Sequence, residues 1–165
     1  MRRTNAAVSP TCMRGFNSKT PSGCNPQINR NMSFTHTARV AFADTDASGI
    51  VYFANFFRYA QDAEVEALAA HGFSRMDMRY PRVHAEADFV APLYFRDEIR
   101  TEAALLSMGS TSLHWQFSIY GPRGLCAVVK TVVSRRKEDF SPAPYSDEER
   151  ERLSPLLLEA QTIKK

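Results

Sequence analysis

The chain has 165 residues, of which 44% are hydrophobic and 24% charged, with a formal net charge of +3. That fits one globular domain with a core of its own, and no apolar run approaches the roughly 20 residues that a membrane-spanning helix needs. The basic surplus is not a nucleic-acid footprint: residues 1–43 hold six basic residues and no Asp or Glu, leaving 15 basic against 18 acidic residues in the mildly acidic body.

Residues 1–32 open the chain with "MRRTNAAVSPTCMRGFNSKTPSGCNPQINRNM", rich in Ser, Thr, Asn, Pro and Arg and without periodicity. Such a segment has little apolar surface to offset the entropy of ordering, so a disordered tail is expected. Three origins fit it: an over-extended start with Met32 as the initiator, a natural tail, or an acid-free organelle-targeting segment. A secretory signal does not fit, because no apolar core is present. Deleting residues 1–31 is expected to leave melting temperature and activity nearly unchanged; a large loss of either would assign the tail a role in the fold.

Three cysteines, two in the tail and Cys126 in an apolar run, form no disulfide framework. They suit a reducing compartment, and the reading is cytoplasmic, with targeting by the tail as the alternative. Cys126 reads as a small buried hydrophobe. His36, His71, His84 and His114 are too scattered for a metal site, so neither metal nor cofactor is expected.

The body is read as a domain over 33–145 and a helical extension over 146–165. "FTHTARVAF", residues 34–42, alternates as a strand, with Val40 and Phe42 on one face. "YFANFFRYAQDAEVEALAAHG", residues 52–72, reads as a helix: Phe56, Tyr59, Ala60, Ala63, Ala67 and Ala70 follow helical spacing. Gly72 is placed to end it. Its small alanines predict close packing on a sheet. After an irregular stretch at 73–82, period two returns at 83–91, 97–108, 111–121 and 125–137, separated by turn residues. Trp115 should face inward and His114 outward. The final helix, 146–160, starts on Ser146 with Glu149 at capping-box spacing, and Pro155 should kink or divide it. One strand, one long helix and a run of strands define an α+β domain with an antiparallel sheet around a central helix.

Between the first strand and the helix lies "ADTDASGIVYF", with Asp44 and Asp46 two positions apart. A carboxylate there could attack a thioester carbonyl or activate water, with backbone N–H groups at the helix start facing the developing oxyanion. Gly49 would allow close backbone approach. On composition and spacing alone, the simpler reading is that both aspartates are turn and cap residues.

The segment "FADTDASGIVYFANFFRYAQDAE" resembles the signature of hot-dog-fold acyl-CoA thioesterases of the 4-hydroxybenzoyl-CoA thioesterase type, and the resemblance extends over about residues 34–140. It implies a curved antiparallel sheet wrapped around one helix, acting as a homodimer or homotetramer on an acyl-CoA substrate. The family's catalytic aspartate falls on Asp46. The helix start that polarises the thioester carbonyl falls on Tyr52 and Phe53, after Gly49, Ile50 and Val51, with Asn55 at a polar helix-start position. Asp44 becomes a structural group of the turn. The alternatives are a non-hydrolytic acyl-binding or partner-subunit protein, and a thioesterase acting on acyl carrier protein.

The chain departs from the pattern at three places. Phe53 stands where many short-chain relatives have His, and Gln61 replaces an acidic residue. "SMGSTSL", residues 107–113, lacks the basic cluster that grips the CoA phosphate in some members. "SRRK", residues 134–137, is the nearest basic run and reads mainly as a solvated strand end. Glu64 and Glu66, the helix-borne carboxylates used by another thioesterase branch, read as an exposed acidic face. Ser110 and Ser112 have no triad partners at a recognisable spacing.

Overall fold

The computed structural model describes residues 33–73 and 79–158. The tail with Cys12 and Cys24, part of the irregular stretch and the last two residues of the expected final helix lie outside them. Five strands, β1 (Phe34–Arg39), β2 (Arg82–Phe89), β3 (Glu98–Met108), β4 (Ser112–Gly121) and β5 (Gly124–Ser134), form one sheet in the order β1-β3-β4-β5-β2. Every pairing is antiparallel. Helix α1 (Asn55–Ala70) packs against β1, β3, β4 and β5, and the short helix α2 (Asp147–Leu153) follows the last strand.

The alternation in the sequence becomes two-sidedness of the sheet. Leu113, Trp115, Phe117 and Ile119 of β4 are fully buried against the helix, and His114 points the other way. Ala60, Ala63 and Ala67 are buried to the last atom, so α1 approaches the sheet closely, as the alanines predict. Ala70 instead lies exposed, and Leu68 takes its place in the core, because the buried stripe drifts around the helix with a period of 3.6 residues. Gly72, at φ +77°, ends α1 in a Schellman motif. Phe73 N–H donates to Leu68 O at 2.9 Å and Gly72 N–H to Ala69 O at 3.0 Å.

The first strand is shorter than its pattern suggests. It ends at Arg39, and Phe42–Asp44 form one turn of 3-10 helix, which leaves Phe42 76% exposed instead of inward beside Val40. The cause is Asp44, whose carboxylate accepts the Ala41 N–H at 3.0 Å and curls the chain out of the sheet. β5 likewise stops at Ser134, and the following run is not solvated throughout. Arg135 is 7% exposed, holds both carboxylate oxygens of Glu149 at 2.8 Å and lies over the Tyr145 ring. That same Glu149 closes the capping box with Ser146, and Pro155 divides the final helix into α2 and a 3-10 turn at Ser154–Leu156. Leu153 and Leu156 join the core.

Strands β1 and β2 form the two edges of the sheet, and β2 is the one with an exposed apolar face. Ala85, Ala87 and Phe89 pair with the inward residues Thr131, Val129 and Ala127, so they share the inner face. Even so, Val83 is 63% and Phe89 50% exposed. An edge strand that is paired on one side only and carries an uncovered apolar face invites association. A dimer or tetramer at micromolar concentration is the expected result of light scattering, and a monomer would refute it.

Candidate active site

The loop between β1 and α1 treats its two aspartates in opposite ways. Asp44 is buried, 5% exposed, and its carboxylate is fully engaged. It accepts the Tyr59 hydroxyl at 2.8 Å and the Ala41 N–H, and it is ion-paired to Arg58. Its carbonyl accepts the Tyr52 N–H at 2.9 Å and the Asn55 side-chain amide at 2.8 Å. Burial and the Asp44 carboxylate both push the Tyr59 hydroxyl well above its ordinary pKa. Asp44 is thus the knot that ties turn, loop and helix together.

Asp46 is exposed, and among the described residues no Lys, Arg or His lies within ion-pair distance of it. Among the described residues its carboxylate accepts only from Ser48, through the hydroxyl and through the backbone N–H at 2.8 Å. Both bonds favour the anion and hold its pKa below the usual aspartate value of 3.8. The loop closes on itself: Gly49 N–H donates to Asp46 O at 3.0 Å, and Asp46 N–H to Ile50 O at 2.9 Å. Gly49 sits at φ +81°, where other residues are strained.

The helix-start amides are not all free. Val51 N–H is spent on Leu93 O at 2.8 Å, and Tyr52 N–H on the Asp44 carbonyl. Helix α1 begins only at Asn55, three residues later than the sequence pattern suggests, because these bonds hold the preceding residues in the loop. Ala54 caps α1 with no side-chain hydrogen bond, and the amides of Phe53 and Ala54 meet no acceptor among the described residues. Ile50, Val51, Phe53 and Phe56 line an apolar pocket of about 390 Å³, closed on the far side by Phe89 to Pro92. Phe89 is its hub, with ring centroids 5.3 Å from Phe56 and 6.4 Å from Phe53. Sequence reasoning did not find Phe89, and its only trace there is an aromatic at a strand end shortly before Pro92.

Other sequence candidates are placed elsewhere. Glu64 is fully buried instead of lying on an exposed face, and it accepts from Arg82 at 2.8 Å; Glu66 is exposed. Cys126 is fully buried, and burial pushes its thiol pKa up, so it is no thiolate nucleophile. Among the described residues no three His, Cys, Asp or Glu side chains converge as metal ligands, and no helix is long and apolar enough to cross a membrane.

An antiparallel sheet wrapped on one helix, with this loop at the helix entrance, defines a hot-dog fold of the thioesterase kind. A family model described as "Thioesterase-like superfamily" matches residues 40–153, and the chain belongs to that superfamily. It is 39% identical over 74 residues to a 1,4-dihydroxy-2-naphthoyl-CoA hydrolase of Nostoc punctiforme, covering 41% of this chain and 50% of that protein. A protein of the same name from Rippkaea orientalis is 32% identical over 108 residues, covering 62% of this chain and 75% of the relative. The chain therefore spans between half and three quarters of the length of these two relatives. Among solved structures, a 1,4-dihydroxy-2-naphthoyl-CoA thioesterase from Synechocystis superposes with a TM-score of 0.67. At 24% identity it covers 74% of this chain and 96% of its own.

Proposed function

We propose that this chain hydrolyses an acyl-CoA thioester to the free acid and coenzyme A, with a fused or single aromatic ring as the acyl group. The observation that carries the reading is an exposed, anionic Asp46 on the loop that lines an aromatic pocket, where two helix-start amides have no acceptor among the described residues. Phe53, Phe56 and Phe89 offer ring faces and edges to a flat acyl group. The names of the cyanobacterial relatives support the same chemistry.

In this reading the thioester carbonyl lies with its oxygen toward the Phe53 and Ala54 amides, which stabilise the negative charge as the carbonyl carbon becomes tetrahedral. Asp46 acts in one of two ways. As nucleophile, its oxygen bonds to the carbonyl carbon, the carbon–sulfur bond breaks, coenzyme A leaves as thiolate, and water then cleaves the mixed anhydride. As general base, it takes a proton from the water that attacks the same carbon. Asn55 and Tyr52 serve the site indirectly, by fixing the loop through the Asp44 carbonyl.

The test is a hydrolysis screen of the purified chain across aromatic and aliphatic acyl-CoAs, read by free-thiol release. Turnover of aromatic thioesters with little on aliphatic ones is expected, and no thiol release from any of them would overturn the reading. A pH profile probes the same site. Ser48 stabilises the Asp46 anion, so Ser48→Ala should raise the Asp46 pKa toward its ordinary value. The acidic limb of kcat/KM should then move to higher pH, while activity near neutrality is kept. An unmoved limb would show that Asp46 ionisation does not govern the rate.

A further inference from the structure

On the same rim as Asp46 lies an exposed cluster to which neither the catalytic chemistry nor the core assigns a task. Phe42 is 76% and Phe95 45% exposed, and their rings meet edge to face at 5.8 Å. Arg96 lies over the Phe95 ring at 5.0 Å, and Arg39 donates to the Arg96 carbonyl at 3.2 Å. Among the described residues neither guanidinium has a carboxylate within ion-pair distance, although Glu98 stands opposite Arg39 in the ladder. Arg96 is also held at φ 71°, a left-handed conformation that is unfavourable for any residue with a side chain. Two exposed rings, two uncompensated cations and local backbone strain in one place suit a ligand that is both flat and anionic.

The backbone connects this cluster to the proposed catalytic loop. Phe89 to Pro92 line the apolar pocket. The next residues bind the Asp46 loop, through Val51 N–H to Leu93 O and an isolated bridge between Ile50 and Tyr94. Arg96 N–H then donates to Val40 O at 3.0 Å, two residues before Phe42. One continuous segment thus carries the pocket at one end, the loop in its middle and the cluster at the other. From Pro92 to Arg96 the chain spans at most roughly 14 Å. Arg39 also edges a concavity of about 990 Å³, together with Arg100 and Tyr120.

We propose that Phe42, Phe95, Arg39 and Arg96 receive the adenosine-phosphate end of coenzyme A. Adenine packs on the phenyl rings and the phosphates are held by the two guanidiniums, which suit phosphate through paired N–H donors. The proposal rests on the thioesterase reading and names the handle by which the site holds its substrate. It also explains how the site manages without basic residues in the turn at 107–113: the cations stand at the opposite end of β3.

Adenosine 3′,5′-bisphosphate is the probe, titrated calorimetrically into the full chain, into Phe42→Ala and into the double variant Arg39→Gln, Arg96→Gln. The full chain should bind it, and the double variant should bind about tenfold or more weakly. In parallel, one aromatic acyl group is presented on coenzyme A and on N-acetylcysteamine, which lacks the nucleotide. KM for the CoA thioester should rise by about the same factor in the variants, with kcat within about twofold and the truncated thioester unaffected. Absence of bisphosphate binding to the full chain, binding unchanged in the variants, or equal loss on both thioesters would overturn the proposal. If the full chain binds the bisphosphate but cleaves neither thioester, the hydrolase reading fails and the nucleotide site stands.

Discussion

Asp46→Asn is expected to lower kcat by roughly 10²-fold or more, in line with the usual contribution of a positioned base. The substitution keeps size and keeps an oxygen to accept from Ser48, while removing the anionic oxygen that attacks or takes the proton. KM should move less, because binding rests on the aromatic pocket and on contacts to the coenzyme. If Asp46 only shapes the turn, the asparagine variant should work near normally, since asparagine is as good a turn and cap residue. Near-normal turnover in a variant whose circular dichroism is unchanged would refute a chemical role for Asp46.

The other large effect belongs to its neighbour and falls on stability. Asp44→Ala removes the acceptor of the Ala41 N–H and of the Tyr59 hydroxyl, the latter bond being buried. Each donor left without a partner costs roughly 1–3 kcal/mol, so a loss of about 2–4 kcal/mol is expected in urea unfolding. The ion pair with Arg58 adds little, because that arginine side chain is 50% exposed and water takes over its solvation. Asp44→Asn should lose less, since its amide oxygen can stand where one carboxylate oxygen accepts both the Ala41 N–H and the Tyr59 hydroxyl. The amide nitrogen then faces only the half-exposed Arg58, so the alanine variant is the decisive one. A loss below about 1 kcal/mol would mean that the loop is held by something else. The two aspartates therefore make a matched pair, one variant read in kcat and the other in denaturant midpoint.

How much of this was legible in the sequence depended on the range of the interaction. The long helix, the five strands, the glycine that ends α1, the Ser146 cap and the break at Pro155 are set by residues within a few positions, and their patterns show in the letters alone. The end of β1 was not legible, because Asp44 is held in place by Arg58 and Tyr59 on the next element. Nor was the burial of Glu64, whose partner Arg82 lies 18 residues on, or that of Arg135, whose partner Glu149 lies 14 residues on. At the candidate site, the motif placed Asp46 and the helix entrance together. Which amides remain open could not be read from it, since Leu93 and Asp44 decide that through their carbonyls. Phe89 joins the pocket from the opposite edge of the sheet, a placement that only closure of the fold creates.

The anchoring of the last strand also bears on the order of synthesis. A ribosome has made all five strands once Ser134 is joined, yet the unit is not ready to close. The next residue, Arg135, is buried, and its carboxylate partner arrives only with Glu149. Leu153 and Leu156, which complete the core, arrive later still, and Leu158 N–H then docks on Leu105 O at 2.9 Å. Until that stretch clears the exit tunnel, the nascent domain carries an unmatched cation and an apolar opening, the condition in which chaperones engage a chain. Closure is thus delayed until nearly the whole domain is outside the ribosome, and a stop codon a few residues before Leu153 would leave every strand in place and no finished core.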